Sequence, residues 1–111
     1  MLRCTETDRA AILEYIAAEP EINLFIYGDV ETVGVDKAPV QVWVKPAANG
    51  WDFLILQYFD SYILYSRNPA YDAAAAAEFL RSRKVEGISG KKELLDRLAP
   101  YFPENAAVSP T

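Results

Sequence analysis

A β-rich stretch in the middle of the chain constrains the fold most, because three predicted strands follow one another there with only short breaks. Apolar and polar residues alternate over residues 40–45, which is the period-two pattern of a strand. Residues 46–50 form a predicted turn that ends in Asn49-Gly50, a strong reversal signal because both residues tolerate positive φ. Strands are predicted again over 51–59 and 62–66. Such short connections predict an antiparallel meander, and its central strand, apolar on both faces, should be covered on both sides.

Helical patterns flank the meander. Residues 8–19 carry apolar side chains at helical spacing and end before a proline, which disfavours helix in the residue that precedes it. Asp72 is predicted to cap a helix over residues 73–83, which begins with five alanines, the residues of highest helix propensity. A short strand over 85–89 and a helix over 90–99 follow. If the strands on either side of the alanine-rich helix share the sheet, they form a parallel β-α-β unit.

The pattern over residues 21–34 fits two different structures. Asn23 is a suitable N-cap for a helix, although Gly28 would cost that helix about 1 kcal/mol. The apolar run at 24–27 before Gly28-Asp29 equally fits a short buried strand that ends in a turn. Periodicity by itself does not decide between the two.

Composition limits the possible functions. The 111 residues amount to one domain, and the chain contains no histidine and a single cysteine. This composition excludes histidine-based catalysis, an internal disulfide and a cysteine-cluster zinc site, and we expect no metal. The net charge of −5 argues against nucleic-acid binding. The sequence shows no membrane-spanning run and no signal peptide, so we expect a cytoplasmic protein without a membrane partner.

The order of these elements, with the residues in them, resembles the GNAT acetyltransferase fold. The matching segments are EPEINLFIYGDVE at 19–31, QVW at 41–43, ILYS at 63–66 and GISGK at 87–91. More narrowly, the chain is similar to the N-terminal domain of two-domain GNAT-related proteins of bacteria. The resemblance implies a mixed α+β (α/β) fold: a GNAT-like sheet, with the antiparallel meander followed by the parallel β-α-β unit and helices on both faces.

The resemblance also implies boundaries that the residue patterns left open. Residues 23–31 become the second helix, and a short strand is implied near residues 1–4. Residues 1–103 would form the GNAT-like domain, which lacks the last two strands of a complete GNAT fold. Residues 104–111, rich in alanine, serine and proline, would be a tail or linker.

The chain departs from the family in the loop that holds the coenzyme. In an active GNAT domain, a glycine-rich loop and a helix N-terminus bind the diphosphate of acetyl-CoA through backbone amides. The equivalent residues here, 66–72, contain no glycine, Pro69 lacks an amide donor, and Asp72 brings a negative charge. We therefore expect no cofactor to be bound by this chain alone, although acetyl-CoA is implied for the family. Arg67 and Asn68 are candidates for a residual or altered cofactor-binding site there, against an ordinary surface loop.

Two further groups of residues are candidate sites. The resemblance implies that Asn23 and Asp29 border an acceptor-substrate groove, whereas the simpler interpretation is helix capping and a solvent-facing carboxylate. Ser89, Gly90 and Lys91 open the predicted last helix, where free amides bind an anion, against an ordinary helix cap. No catalytic residue is predicted.

Three hypotheses for the function follow. The first is a non-catalytic GNAT-like N-terminal domain that supports or regulates an acetyltransferase domain, or that mediates self-association as a dimer. The second is a divergent acetyl-CoA-dependent N-acetyltransferase that a partner completes. The third is a small-ligand sensor. The expected partner is accordingly a catalytic GNAT domain or a second copy of the chain, and aromatic residues crowd the meander as a candidate contact face: Trp43, Trp51, Tyr58, Tyr62 and Tyr65.

Overall fold

The computed structural model of the chain describes residues 1–48 and 50–102, and the backbone of residues 108–110. Within these residues, four α-helices pack on one seven-stranded sheet. In chain order the elements are β1 (Leu2–Arg3), α1 (Arg9–Ile16), α2 (Leu24–Thr32), β2 (Asp36–Lys37), β3 (Val40–Ala47), β4 (Gly50–Tyr58), β5 (Ser61–Tyr65), α3 (Ala73–Arg81), β6 (Gly87–Gly90), α4 (Lys92–Leu98) and β7 (Val108–Pro110).

The strand order confirms the predicted mixed α+β architecture. The sheet runs β1-β3-β4-β5-β6-β7, and β2 pairs with β3 beside that path. Strands β3, β4 and β5 form the antiparallel meander, because each pairs with the next in the chain. Strand β6 lies parallel to β5, so α3 is the crossover helix of a β-α-β unit. The finer assignment to a GNAT-like sheet stays a proposal.

Helices cover both faces of the sheet, as predicted. On one face, Tyr15 of α1 packs its ring 5.6 Å from the ring of Tyr65 in β5. On the other face, the ring of Phe79 in α3 lies 5.3 Å from that of Trp43 in β3. Between the two layers, residues 53–56 of β4 are fully buried. A strand that is apolar on both faces therefore occupies the centre of the sheet, where burial removes the most apolar surface from water.

Tertiary packing selects the helix at residues 24–32. The chain forms α2 through Gly28, and the strand-and-turn alternative is wrong. Ile26 and Val30, one turn apart, are buried against the core. Asn23 precedes α2, but its side chain does not cap it: Nδ2 donates to the Ile16 carbonyl at 3.0 Å, at the C-terminus of α1. The short strand implied near the N-terminus is also present as β1, which pairs with β3.

Several element boundaries differ from those predicted. A 3-10 turn over Glu6–Asp8 precedes α1, so the helix begins at Arg9. It ends at Ile16 rather than at residue 19. Strand β3 extends to Ala47, so the predicted turn over 46–50 is shorter, and Asn49 of its reversal signal lies outside the described residues. Pro46 lies in β3 where the pairing register shifts, a position that does not require a regular ladder hydrogen bond.

The last elements are also displaced. Strand β6 covers Gly87–Gly90 rather than 85–89, and just before it the Glu86 amide donates to the Asp60 carbonyl at 2.8 Å. Helix α4 covers Lys92–Leu98, and a 3-10 turn follows it. Most of the predicted tail or linker lies outside the described residues. The backbone of Val108–Pro110 in that segment pairs with β6 as the parallel strand β7.

Substitution of Gly28 by alanine is expected to raise the free energy of unfolding by about 0.5–1 kcal/mol. A Cβ atom at this position would have no neighbour within 4 Å, so the methyl group fits without a clash. The gain comes from the lower conformational entropy of alanine in the unfolded chain. Urea unfolding of the variant and the wild type measures the difference, and a loss of stability would contradict the prediction.

Candidate functional site

A β-bulge in β4 brings Asp52 to the loop that the sequence singled out. The pairing passes from Lys45 opposite Phe53 to Pro46 opposite Trp51, so Asp52 is the extra residue of the bulge. A bulge redirects a side chain relative to the regular alternation of a strand. The Asp52 carboxylate reaches the segment that connects β5 to α3. Its Oδ2 accepts the Asp72 amide at 2.8 Å, and its Oδ1 accepts Asn68 Nδ2 at 3.3 Å.

Every backbone amide between Arg67 and Asp72 has an acceptor within the protein. The Arg67 amide donates to the Tyr15 hydroxyl at 3.2 Å. The Asn68 and Ala70 amides donate to side chains inside the loop, Ser66 Oγ and Asn68 Oδ1, both at 2.9 Å. The Tyr71 amide donates to the Asn68 carbonyl at 3.2 Å, and the Asp72 amide to Asp52. Pro69 has no amide hydrogen. The loop thus satisfies its own donors and presents none of them to a ligand.

The N-terminus of α3 is also occupied by negative charge. Asp72 caps the helix, since its Oδ1 accepts the Ala75 amide at 3.0 Å. The Asp52 carboxylate lies on the Asp72 amide at the same helix end. Two carboxylates therefore already interact with the positive end of the helix dipole. A phosphate entering there would meet two like charges.

Arg67 lies at the strand-to-helix junction, as predicted, but its guanidinium donates hydrogen bonds to the end of α1. Nε donates to the Tyr15 carbonyl at 2.9 Å, and Nη2 donates to the Glu14 carbonyl. The guanidinium carbon also lies 4.8 Å from the centre of the Tyr15 ring. Carbonyls in the last turn of a helix lack partners within the helix, and a cation there complements the dipole. Arg67 therefore ties the end of α1 to the β5–α3 loop.

Lys91 contributes to a second polar cluster, at the end of β6. Its Nζ donates to Glu19 Oε2 and also contacts Glu93 Oε1, both at 2.8 Å. Glu19 in turn accepts the Tyr65 hydroxyl at 3.1 Å. The Lys91 hydrogen bond is the main cause that lowers the pKa of the Glu19 carboxyl below its ordinary value. The hydrogen bonds that Lys91 donates to Glu19 and Glu93 raise its pKa, so this ammonium stays charged and paired.

Glu19→Gln should make the free energy of unfolding depend less on pH in the acidic range. Because the folded state lowers the pKa of Glu19, its contribution is present above the ordinary value of 4.5 and is lost as pH falls through the folded-state pKa. The stability difference between the wild type and the variant should shrink below about pH 4.5. Urea unfolding at neutral and acidic pH measures this. Glu21→Gln, at an exposed neighbouring carboxylate, is the control, and the prediction fails if both variants respond alike.

The structure brings two of the predicted groups together in one groove. Asn23 and Asp29 lie on the α2 side of a groove of about 320 Å³, and Ser89 and Gly90 lie on its β6 side. Ser89 and Gly90 belong to β6 and pair with β5, so they do not open a helix as the sequence suggested. Lys91, next in the chain, is engaged by Glu19 and Glu93.

Asp52 and Tyr15 were not among the site residues predicted from the sequence. Asp52 is the one acidic residue in the apolar segment that precedes the β4–β5 turn, and this isolation is a signal that could have been read. Tyr15 is one of the apolar side chains at helical spacing over residues 8–19. Its hydroxyl nevertheless accepts the Arg67 amide, a contact between residues 52 positions apart in the chain. No local pattern reports such a pairing.

Within the described ranges, no group of three or more histidine, cysteine, aspartate or glutamate side chains is placed to hold a metal ion. None of the helices in those ranges combines the length and apolar character needed to cross a bilayer. The chain matches no protein-family model, no curated protein and no solved structure.

Proposed function

We propose that this chain is a non-catalytic GNAT-like domain that supports or regulates an acetyltransferase domain, or that associates with a second copy of itself. The observation that carries the proposal is that the backbone amides of the β5–α3 loop donate to acceptors within the protein. Acetyl-CoA binding in a GNAT fold requires backbone amides that point at a diphosphate. Here the backbone amides of residues 67, 68 and 70–72 donate to acceptors within the protein. The carboxylates of Asp52 and Asp72 lie at the N-terminus of α3.

Opening this loop for a coenzyme would be unfavourable. A diphosphate would have to displace the Asp52 carboxylate from the Asp72 amide and then lie beside two carboxylates. The Asp52 carboxylate also accepts Asn68 Nδ2, so the loop would lose more than one hydrogen bond that involves a charged group. The chemistry therefore favours a structural role for this junction in the isolated chain.

Exposed apolar side chains support the association part of the proposal. Five of them lie on α2 and at the β4–β5 turn, and each has at least 40% of its surface exposed: Leu24, Phe25, Tyr27, Tyr58 and Phe59. Aromatic residues are enriched in the cores of protein interfaces. Sedimentation equilibrium of the wild type and of Leu24→Ser and Phe59→Ser tests self-association. A monomer at all concentrations would leave the acetyltransferase domain as the proposed partner.

Calorimetric titration with acetyl-CoA tests the proposal directly. The isolated chain is expected to show no saturable binding at coenzyme concentrations up to about 1 mM, where only interactions weaker than about 4 kcal/mol would escape detection. A catalytically competent GNAT enzyme in the same buffer is the positive control. Micromolar binding, or acetyl transfer to an amine by the chain alone, would overturn the proposal and favour the divergent acetyltransferase.

A further inference from the structure

A second groove, of about 300 Å³, lies between α1 and α2. All of the described residues that line it belong to these two helices or to the connection between them, and nearly all are apolar or aromatic: Leu13, Ile16, Ala17, Pro20, Leu24 and Tyr27. The remaining one is Asn23, whose Nδ2 already donates to the Ile16 carbonyl. The groove therefore offers an apolar wall to a partner.

Two large side chains on the α2 wall of this groove are exposed. Leu24 is 62% exposed and Tyr27 is 51% exposed. They are three residues apart, so they lie on the same side of α2. That side lines the groove shared with α1, whereas Phe25 and Asp29 line the separate groove beside β5. Covering Leu24 and Tyr27 would remove apolar surface from water, which stabilises a docked partner.

The segment that forms the groove between α1 and α2 is acidic throughout. Residues 10–36 contain no lysine or arginine and six carboxylates: Glu14, Glu19, Glu21, Asp29, Glu31 and Asp36. Glu21 follows Pro20 at one end of the groove, and Glu31 lies one turn after Tyr27 on the same side of α2. In the described part of the chain, neither Glu21 nor Glu31 pairs with a cation. The rim of the groove therefore carries negative charge that the chain itself does not neutralise.

The charge of the rim favours a basic partner over a second copy of the chain. Two copies that met through this face would bring two acidic rims together, and like charges across an interface are unfavourable. The length of the groove fits a helix. Helices α1 and α2 have 8 and 9 residues, so the groove runs for about 12–14 Å, which is the length of two to three helical turns. A partner helix fills such a groove with apolar side chains at positions i, i+3 or i+4, and i+7.

We propose that the groove between α1 and α2 docks a basic amphipathic helix of another protein. Its apolar side chains would lie against Leu24 and Tyr27, and its lysines or arginines would lie beside Glu21 and Glu31. The proposal goes beyond the function proposed above and does not depend on it, because it uses neither the β5–α3 loop nor the family resemblance.

Fluorescence anisotropy with a model helix tests the proposal. The probe is the peptide fluorescein-LKKLLKLLKKLLKL-amide, titrated with the full chain in about 150 mM NaCl, which screens weak long-range attraction. We expect saturable binding with a Kd on the order of 10 µM or tighter. The peptide fluorescein-LEELLELLEELLEL-amide has the same leucines and the opposite charge, and it should bind at least about tenfold more weakly. Equal binding of the two peptides, or no saturation by the lysine peptide at about 100 µM chain, would overturn the proposal.

A matched pair of leucine variants locates the apolar contact. Leu24→Ser should weaken binding of the lysine peptide about tenfold, because Leu24 is an anchor of the groove. Leu2→Ser removes an equally exposed leucine, 58% exposed, from β1 and should leave the affinity unchanged. Equal effects of the two substitutions would contradict docking in this groove.

A matched pair of double variants locates the charge. Glu21→Gln with Glu31→Gln should weaken binding of the lysine peptide about tenfold. Glu78→Gln with Glu86→Gln removes the same charge from exposed positions in α3 and before β6, and should change the affinity less than about twofold. Thermal unfolding verifies that all variants fold. The proposal fails if the two double variants bind alike, and a dimer that Leu24→Ser dissociates and Leu2→Ser does not would assign the groove to a second copy instead.

Discussion

Replacing Tyr71 with alanine is expected to lower the free energy of unfolding by about 3–5 kcal/mol, the range for a fully buried aromatic residue. The side chain is 0% exposed and lies between α4 and the sheet. Its ring centre is 5.8 Å from that of Phe53 in the central strand. Its hydroxyl donates to the Leu94 carbonyl at 2.6 Å, and its own carbonyl accepts Arg97 Nε at 2.7 Å. Truncation leaves a cavity where the loop before α3 joins α4 to the core.

Urea unfolding monitored by circular dichroism measures the loss. Tyr71→Phe is the matched control, because it keeps the ring and removes only the hydrogen bond to the Leu94 carbonyl. That variant should lose about 1 kcal/mol. Similar losses in the two variants would show that the hydrogen bond, rather than the filled volume, accounts for the stability at this position.

Gly90→Ala is expected to lower the free energy of unfolding by about 2–3 kcal/mol, the cost of adding a methyl group where the packing leaves no room for it. A Cβ atom at Gly90 would lie 2.6 Å from the backbone carbonyl oxygen of Leu64. That oxygen belongs to β5, directly beside β6, so it moves only if the paired strands separate. A flexible side chain would turn aside at little cost, whereas a strand backbone does not.

Gly28→Ala is the matched comparison for this effect. Both substitutions add one methyl group, but Gly28 has open space and Gly90 has a backbone oxygen in the way. Urea unfolding of the two variants should therefore give changes of opposite sign. A loss of less than about 0.5 kcal/mol for Gly90→Ala, the usual range of a surface substitution, would mean that β6 can move away from β5.

Local sequence determined the central meander and helix α3 of this protein. The alternation over 40–45 and the apolar run that follows it predicted three antiparallel strands, and the structure has them as β3, β4 and β5. The alanines after Asp72 predicted α3 and its cap, and the Ala75 amide indeed donates to Asp72. These signals are readable because the period of a strand or helix and the chemistry of a cap depend on residues within one or two turns.

The same local patterns could not decide between helix and strand at residues 24–27. The hydrophobic run there fits either structure, and Gly28 weakens both. Contacts of Ile26 and Val30 with the core decide in favour of α2. This packing involves residues far away in the chain, and its energy exceeds the local cost of about 1 kcal/mol for Gly28 in a helix. The sequence shows that local cost, but it does not show the packing that compensates for it.

Only the tertiary structure decided the candidate sites. The sequence shows that residues 66–72 contain no glycine, but it did not indicate that a bulge in β4 would bring Asp52 to the Asp72 amide in that segment. It named Asp29 and Ser89 separately, and folding placed both in one groove. A side chain acquires a partner, or remains without one, through the meeting of segments that are distant in the chain. Register, bulges and helix packing determine that meeting, and they arise from the whole core rather than from any one stretch of residues.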